Sequence, residues 1–587
     1  MKTYTLLFCN LLIIHQFFYL PNIYDSFYSS KWIIFTCLFL PLYFWYLYDT
    51  KSNKDLALLK KDKIILFLFL SIFIVSDLYH KSFTLIHTLG VCTFAYCMMY
   101  FYKRTKFELY HVSGVILLLL SFLCTLELLG LSFYQGSSYH LSVLTGNPNL
   151  FAASFLFWFY IHRKQVPIKY LKGSILLTLL FLIVSKSRAA LLAFFIIEGF
   201  LVFEKNRKMI VPFLLLLTGI MYFFISNPSK IEGFSKLEIR WIETKISYSI
   251  LKENLLFGIG QGNYRKFYFK NLEKDKKTYK SYEDESLLRY IRLSSYSHFT
   301  PLSILVSLGL PLGFLFIFIS IYLLYLSYQR LEKFEFLALI SLVLMSMTYY
   351  LFHFGIILVP ALVLLSKVMS KSLVNRDFIS KKRFFPVVFL CMWTIYWLYS
   401  FFFEVNSLKN PEFYVNSIFN NGRLEHSLVQ KSLDRKVLLK EKTFLKLLFV
   451  AHAKMPDPVT YYNASKYFYK KNEKKRAREY LQKGINILPS YAPFYYARAL
   501  MQENFLKAFM DYVLALKIDR KHVPSWKNLS ILQLEAGYLQ EGLKHINNAL
   551  KFYKEKYNGK NLNFDAYYLE LLQIKKALAQ KIKNKDK

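Results

Sequence analysis

About thirteen apolar stretches, most of them 15 to 30 residues long, recur along this chain near 4–20, 32–48, 64–80, 83–102, 108–128, 149–162, 170–185, 189–203, 210–226, 300–328, 334–351, 354–366 and 385–403. A hydrocarbon core about 30 Å thick is crossed by roughly 20 residues of helix, so this spacing predicts a polytopic helical membrane domain. The composition agrees. Of 587 residues, 55% are hydrophobic and only 19% charged, below the roughly 25% of an ordinary soluble domain, and the charges cluster between the apolar runs. Disorder and collagen-like repetition are thereby excluded. The first stretch has only Lys2 before it and no small-residue cleavage site, so it is expected to stay in the protein as a helix.

The formal net charge is +38. In a soluble chain that balance would suggest nucleic acid; here anionic membrane surfaces and anionic lipid-linked substrates account for it, and no nucleic-acid partner is expected. All six cysteines (Cys9, Cys37, Cys92, Cys97, Cys124 and Cys391) fall inside apolar segments, so no disulfide framework is expected and none reports on compartment.

Short-loop charge sets the orientation, because Lys and Arg are retained on the cytoplasmic side. With the N-terminus inside, the loops 49–63, 103–107, 163–169 (extended to Lys172), 204–209, 329–333 and 367–384 hold twenty-three basic residues. The loops on the other side hold four: Lys31, Lys81, Lys186 and Arg188. The expected organisation is transmembrane helices over 1–226, a long extracytoplasmic loop over 227–299 and further transmembrane helices over 300–403. A helical linker (404–457), a repeat region (458–556) and a helical tail (557–587) then follow outside. The loop carries fourteen basic and nine acidic residues, too much chain and charge for a connector.

Residues 458–491 fit a 34-residue helix-turn-helix template, with Tyr461, Ala464, Phe468, Ala477, Leu481, Gly484 and Pro489 at its packing positions. Residues 523–556 repeat it through Trp526, Leu529, Gly542, Ile546 and Ala549. Between them 492–522 is three residues short, with Tyr495, Ala499 and Ala515 in register. This region resembles the tetratricopeptide repeat family, which implies an α-solenoid with a concave surface for a protein partner. A spacer or dimerisation module is the alternative.

No metalloprotease, P-loop or paired-cysteine motif is present, and the glycines of FGIGQGNY lack the strand–turn–helix setting of a dinucleotide fingerprint. The chemistry is therefore sought among ionisable groups at the outer membrane face, where they are costly to keep. Arg188 in SKSRAALLAF, Arg240 in EIRWIETK, Arg265 in GNYRKFY and His298 in SYSHFTP stand out. A guanidinium can grip a diphosphate in a bidentate way, and a neutral imidazole can take a proton from an attacking hydroxyl. Each also has a duller reading, a snorkelling Arg or a locally hydrogen-bonded His. His80, His140 and His353 lie near the same face, and spacing alone ranks none of them below His298.

These blocks, TGNPNLFAASF (145–155), SRAALLA (187–193), RW…ENLLFGIGQGNYR (240–265) and SHFTPLSILVSLGLPLG (297–313), resemble the O-antigen ligase and polymerase superfamily in their order along about 170 residues. An Arg followed four residues later by Leu opens a helix there, as Arg188 and Leu192 do. An Arg of the long loop is matched best by Arg240, and a His is followed eleven residues on by Gly, as His298 is by Gly309. Phe299 stands where the family usually has Asn or Ser, and the following GxxG is stretched to Gly309…Gly313.

The resemblance implies a bacterial inner-membrane glycosyltransferase that moves a glycan from polyprenyl (undecaprenyl) diphosphate to an acceptor hydroxyl and needs no metal, nucleotide or other cofactor. His298 would be the general base and Arg188 and Arg240 the diphosphate clamp. Arg265, Asn147, Asn149, Gly260 and Asn263 would bind substrate. Lipid A core, another repeat unit or a protein hydroxyl are the acceptors open to such an enzyme. A transporter or flippase and a non-catalytic scaffold are the readings from other classes.

Overall fold

The computed structural model describes residues 2–17, 29–49, 55–58, 64, 68, 71–72, 74–76, 79–80, 85–105, 107–129, 131, 147–206, 234–260, 263–274, 300–347, 355–371, 373–376, 385–409, 429, 440–454, 458–556 and 565–585. The chain divides into two compact units, 1–264 with 295–419, and 265–294 with 420–587.

In the first unit the helices are α1 (Lys2–Phe17), α2 (Ser29–Asp49), α3 (Leu85–Thr105), α4 (Tyr110–Leu128), α5 (Pro148–Arg163), α6 (Ile168–Val184), α7 (Arg188–Lys205) and α8 (Phe234–Glu253). Helix α9 (Tyr264–Lys274) begins in this unit, and α10 (Thr300–Arg330), α11 (Lys333–Ser346), α12 (Gly355–Ser370) and α13 (Phe385–Lys409) complete it. One element departs from the all-helical expectation. Strands β1 (Asp55–Leu58) and β2 (Leu373–Arg376) pair antiparallel, with Asp55 opposite Arg376. Both belong to loops that the charge pattern assigned to the same side of the membrane, and pairing requires that shared side.

Two described helices, Tyr110–Leu128 and Thr300–Arg330, are long and apolar enough to cross a bilayer, and shorter apolar helical stretches occupy Thr3–Phe17, Trp32–Trp45, Ile356–Ser370 and Val388–Tyr399. The expected span at 210–226 lies outside the described residues. Helix α10 leaves Phe314, Phe318, Ile321, Tyr325 and Tyr328 more than half exposed along one face. A run of apolar side chains at that helical spacing is stable only against lipid or another protein.

Helix α5 sits at the centre. Every residue from Leu150 to Ile161 is buried, as expected of a helix apolar on all sides. Helix α11 packs along it and against α7. Elsewhere a proline shapes the packing: Pro360 in α12 has no N–H for the Ile356 carbonyl. The buried Gln16 supplies the missing donor, its Nε2 giving a 3.1 Å hydrogen bond to that oxygen while its Oε1 accepts from Ser154 Oγ at 3.2 Å.

One end of the bundle is tied by ion pairs. Lys164 meets Glu332 at 2.7 Å, Lys333 meets Glu204, and Arg163 meets Glu198. Lys367, largely buried, meets both Glu108 and Glu335, the latter at 2.7 Å. The described residues 103–105, 163–169, 204–206, 329–333 and 367–371 therefore lie at helix ends gathered at one end.

The second unit contains α14 (Glu441–Lys454) and three successive helical hairpins, α15 (Pro458–Lys470) with α16 (Lys474–Ile487), α17 (Ala492–Leu500) with α18 (Phe505–Ile518), and α19 (Val523–Glu535) with α20 (Leu539–Lys556). Helix α21 (Ala566–Lys585) packs on α20. Tyr461, Ala464, Phe468, Ala477, Leu481, Tyr495, Ala499, Ala515, Leu529, Ile546 and Ala549 are all buried. The three-residue deficit of the middle unit goes with α17, only nine residues long. Asn472 and Gly537, both at positive φ, make the turns of the outer two hairpins.

Asp565 caps α21, accepting from the Tyr567 and Tyr568 amides at 3.0 Å and from the Tyr553 hydroxyl at 2.9 Å. These donors, the Tyr568 amide foremost, hold its carboxyl below the ordinary carboxylate range. A depressed folded value means that the stabilisation is present above the unfolded value, about 3.9, and is lost as pH falls through the folded one. Hydrogen exchange, corrected for intrinsic rates, is expected to show 566–585 losing protection first below about pH 4, and Asp565→Asn to remove that step.

Candidate functional site

The end of α5 and α7 opposite the ion pairs is built by two neighbouring helix starts. Asn147, in extended conformation before Pro148, caps α5 with its side chain, which accepts from the Asn149 amide at 2.8 Å. Proline at the first helical position loses nothing by lacking an N–H. The turn from α6 into α7 is closed by Lys186 at φ 55° and by Ser185, whose Oγ donates to the Leu182 carbonyl at 2.7 Å. Ser187, fully buried, then donates through Oγ to Asn149 Oδ1 at 2.8 Å. Two blocks nearly forty residues apart are thus joined side chain to side chain.

The result is an end of the bundle where two helix dipoles meet, although Pro148 has no amide and those of Asn149 and Leu150 already go to Asn147. Two helix N-termini, each equivalent to roughly half a positive charge, lie side by side. With the Asn149 side-chain oxygen occupied by Ser187, its amide nitrogen is a donor. Arg188, exposed, adds a full charge in the first turn of α7. As far as the dipole alone is concerned, a cation is unfavourable at a helix N-terminus, by about 0.3–1 kcal/mol. A bound anion would reverse that sign.

The second junction lies between the glycine loop and α10. The helix breaks at Gly309, at φ 78° and ψ 174°. Leu310 consequently turns its amide to the Leu255 carbonyl at 2.7 Å rather than back to Val306. Two carbonyls are released, that of Val306 by Leu310 and that of Ser307 because Pro311 has no amide. The loop takes up both: Ile259 donates to the Val306 oxygen at 3.0 Å and Gly260 to the Ser307 oxygen at 2.9 Å. The Val306 and Ser307 carbonyls thus both keep a donor. Gly258, at φ 64°, lies so close that a Cβ would sit 2.5 Å from the Ser307 carbonyl oxygen.

These bonds also define what the loop does. The amide of Gly260 is used by Ser307, so the residue serves the fold of the loop rather than offering an N–H to a phosphate. Asn263 donates through Nδ2 to the Ile259 carbonyl at 2.9 Å, which fixes the exit of the loop. Tyr264 is buried, with its hydroxyl 2.7 Å from Ser247 Oγ, and burial pushes its phenol well above the ordinary value, so it remains neutral.

Arg240 lies on α8, which packs along α10, and Arg265 lies in the first turn of α9. Their side chains, and His298, His140, His353 and Gly262 entirely, lie outside the described residues. His80 is described, and it lies against the glycine loop. No local pattern pointed there, because the contact joins residues 177 positions apart. Among the described residues no group of histidine, cysteine or carboxylate side chains is placed to hold a metal ion.

The family model described as O-antigen ligase matches residues 173–317, from the interior of α6 through Arg188, α8 and the glycine loop to the break in α10. This segment belongs to the O-antigen ligase family. The O-antigen ligase family places the chain among glycosyl-transferring enzymes of surface-glycan assembly, whose substrates are a lipid-linked glycan and an acceptor. No curated protein matches the chain. Among solved structures, a monomeric mutant of IFIT1 with Gppp-AAAA is similar at 12% identity and a TM-score of 0.25, covering 59% of this chain and 84% of that one.

Proposed function

We propose that this protein transfers a glycan from a polyprenyl diphosphate carrier to an acceptor hydroxyl at the outer face of the bacterial inner membrane. The observation that carries the reading is the paired start of α5 and α7, where Arg188, the Asn149 amide and two helix dipoles converge at the end of the bundle away from the ion pairs. With the basic loops on the cytoplasmic side, that anion-seeking end is extracytoplasmic, and the same charge count assigns the chain after residue 403 to the extracytoplasmic side. In this reading Arg188 and Arg240 hold the diphosphate and stabilise charge growing on the leaving group, while His298 takes the proton of the acceptor hydroxyl. Arg265, Asn147, Asn149 and Asn263 line the substrate site. The bond formed is acceptor oxygen to anomeric carbon, the bond broken is anomeric carbon to phosphate oxygen, and the carrier leaves as its diphosphate. The helical hairpins of 458–556 are read as tetratricopeptide-like repeats that recruit a protein acceptor or an assembly partner. Ligation to lipid or protein is preferred to polymerisation on that account.

A transporter would use its broken helix to line a substrate path. Here the carbonyls released at Gly309 are occupied by the glycine loop, which favours a folded wall over a permeation site. The test is reconstitution of the whole protein with a lipid-diphosphate-linked oligosaccharide and three acceptors, a lipid A core, a repeat unit and a Ser/Thr peptide, followed by mass analysis of each. One acceptor is expected to gain the glycan mass, and His298→Ala protein to lose transfer by a factor on the order of 10²–10⁴. No mass gain on any acceptor, or full activity of a well-inserted His298→Ala protein, would end this reading.

A further inference from the structure

The glycine loop is held from a third direction, by a residue outside the matched family segment. His80 lies at the end of the third apolar stretch, its amide donating to the Ser76 carbonyl at 3.1 Å, and is half-buried. Its Nε2 is 3.0 Å from the Phe257 carbonyl oxygen. A carbonyl only accepts, so Nε2 carries the proton and the ring is the donor. The imidazole lies directly over Gly260, where a Cβ would stand 2.5 Å from its Cγ. Its neighbour Tyr79 stacks on the Phe257 ring with centroids 4.5 Å apart and an interplanar angle of 23°. Gly260 therefore lacks a side chain for two reasons, its φ of 76° and the ring above it.

We propose that His80 is a positioning residue for glycan transfer: by donating from Nε2 to Phe257 it fixes the loop 257–260, and through the Ile259 carbonyl it fixes Asn263 at the substrate site. This rests on the glycan-transfer reading above. The loop has no sheet or helix of its own. It is held by the broken strand of carbonyls in α10 on one side, and by the His80 ring and the Tyr79 stack on the other. Loss of the ring leaves the Phe257 carbonyl without its donor and opens a void above Gly260. The role needs a donor and no titration, because a protonated imidazole still donates from Nε2. A ring acting as proton acceptor would lose its role on protonation.

The full chain in proteoliposomes, given a synthetic polyprenyl-diphosphate-linked oligosaccharide, separates these cases. His80→Leu is expected to lower transfer by roughly tenfold or more, chiefly by raising KM for the donor. His80→Gln, whose amide nitrogen can occupy the place of Nε2, is expected to restore most of that loss with the wild-type pH profile. Hydrogen exchange supplies a readout independent of activity: the Ile259 and Gly260 amides should exchange faster in the leucine variant and return to wild-type rates in the glutamine variant. Should His80→Leu not accumulate, His80→Asn, too short to reach Phe257, replaces it. Wild-type exchange and KM in the leucine variant, or a glutamine variant as impaired as the leucine one, would overturn the proposal. A wild-type protein that moves no glycan would instead overturn the functional reading, while the exchange rates still decide whether His80 holds the loop.

Discussion

Arg188→Ala is expected to lower kcat/KM for glycan transfer by a factor on the order of 10²–10⁴ while changing the stability of the protein little. The two halves of this expectation have separate causes. Arg188 begins α7 at the wrong end for a cation, and the backbone of the turn is closed without it by Ser185, Ser187 and the Leu191 amide, which donates to Ser187 at 3.1 Å. Removing the guanidinium relieves an unfavourable helix-dipole contact of about 0.3–1 kcal/mol, and the loss of the interaction Arg188 makes within the protein offsets that relief. The same removal takes from the proposed diphosphate site its full positive charge and its planar fork, leaving two half-charges and the Asn149 amide. Arg188→Lys should recover charge without the bidentate geometry and fall between the two. Rates with a lipid-diphosphate-linked donor, paired with thermal melts in detergent, measure both halves. An alanine variant that unfolds would make Arg188 a structural residue, and one that stays fully active would remove it from the site.

Local signals made one part of this architecture legible. The apolar stretches near 149–162, 170–185 and 189–203 lie within two residues, at each end, of α5, α6 and α7. The packing positions of the helical hairpins were legible for the same reason, since a repeated spacing names its own buried face. The contacts between distant segments were not. Counting Lys and Arg in short loops registered Lys164, Lys333 and Lys367, yet Glu332, Glu204, Glu108 and Glu335, which pair with them, carried no signal. The family resemblance put Gly260 among the substrate-binding residues, whereas the amides of Ile259 and Gly260 are consumed by carbonyls that the break at Gly309 sets free. Among the histidines, His80 had no distinguishing neighbour in the chain. Its partner is the Phe257 carbonyl, and a main-chain oxygen leaves no mark on residue type.

Gly309 is where these distant segments depend on a single residue, and Gly309→Ala is expected to be the most damaging small substitution in the first unit. The conformation at φ 78° and ψ 174° is one that essentially only glycine adopts, costing any other residue about 1–3 kcal/mol. A methyl group there would also collide with the Leu256 carbonyl and lie 2.7 Å from the Gly258 nitrogen. Both obstacles are backbone, so no rotamer change relieves them. The chain can escape only by continuing the helix through 309, which withdraws the Leu310 amide from Leu255 and returns it to Val306, displacing Ile259. Pro311 blocks the next step, because it has no amide to offer Ser307. Strain and lost bonds together should cost roughly 3–5 kcal/mol. The loop 255–260 is then expected to lose protection in hydrogen exchange, and transfer activity to fall with it. Gly313→Ala is the control. Its nearest obstacle is the end of the Leu305 side chain, 2.8 Å away, which can move, the Leu305 Cα follows at 3.1 Å, and its φ is not left-handed, so a smaller effect than at Gly309 is expected. Equal tolerance of alanine at both glycines would mean that the interlock of the loop with the broken helix does not hold this face of the bundle together.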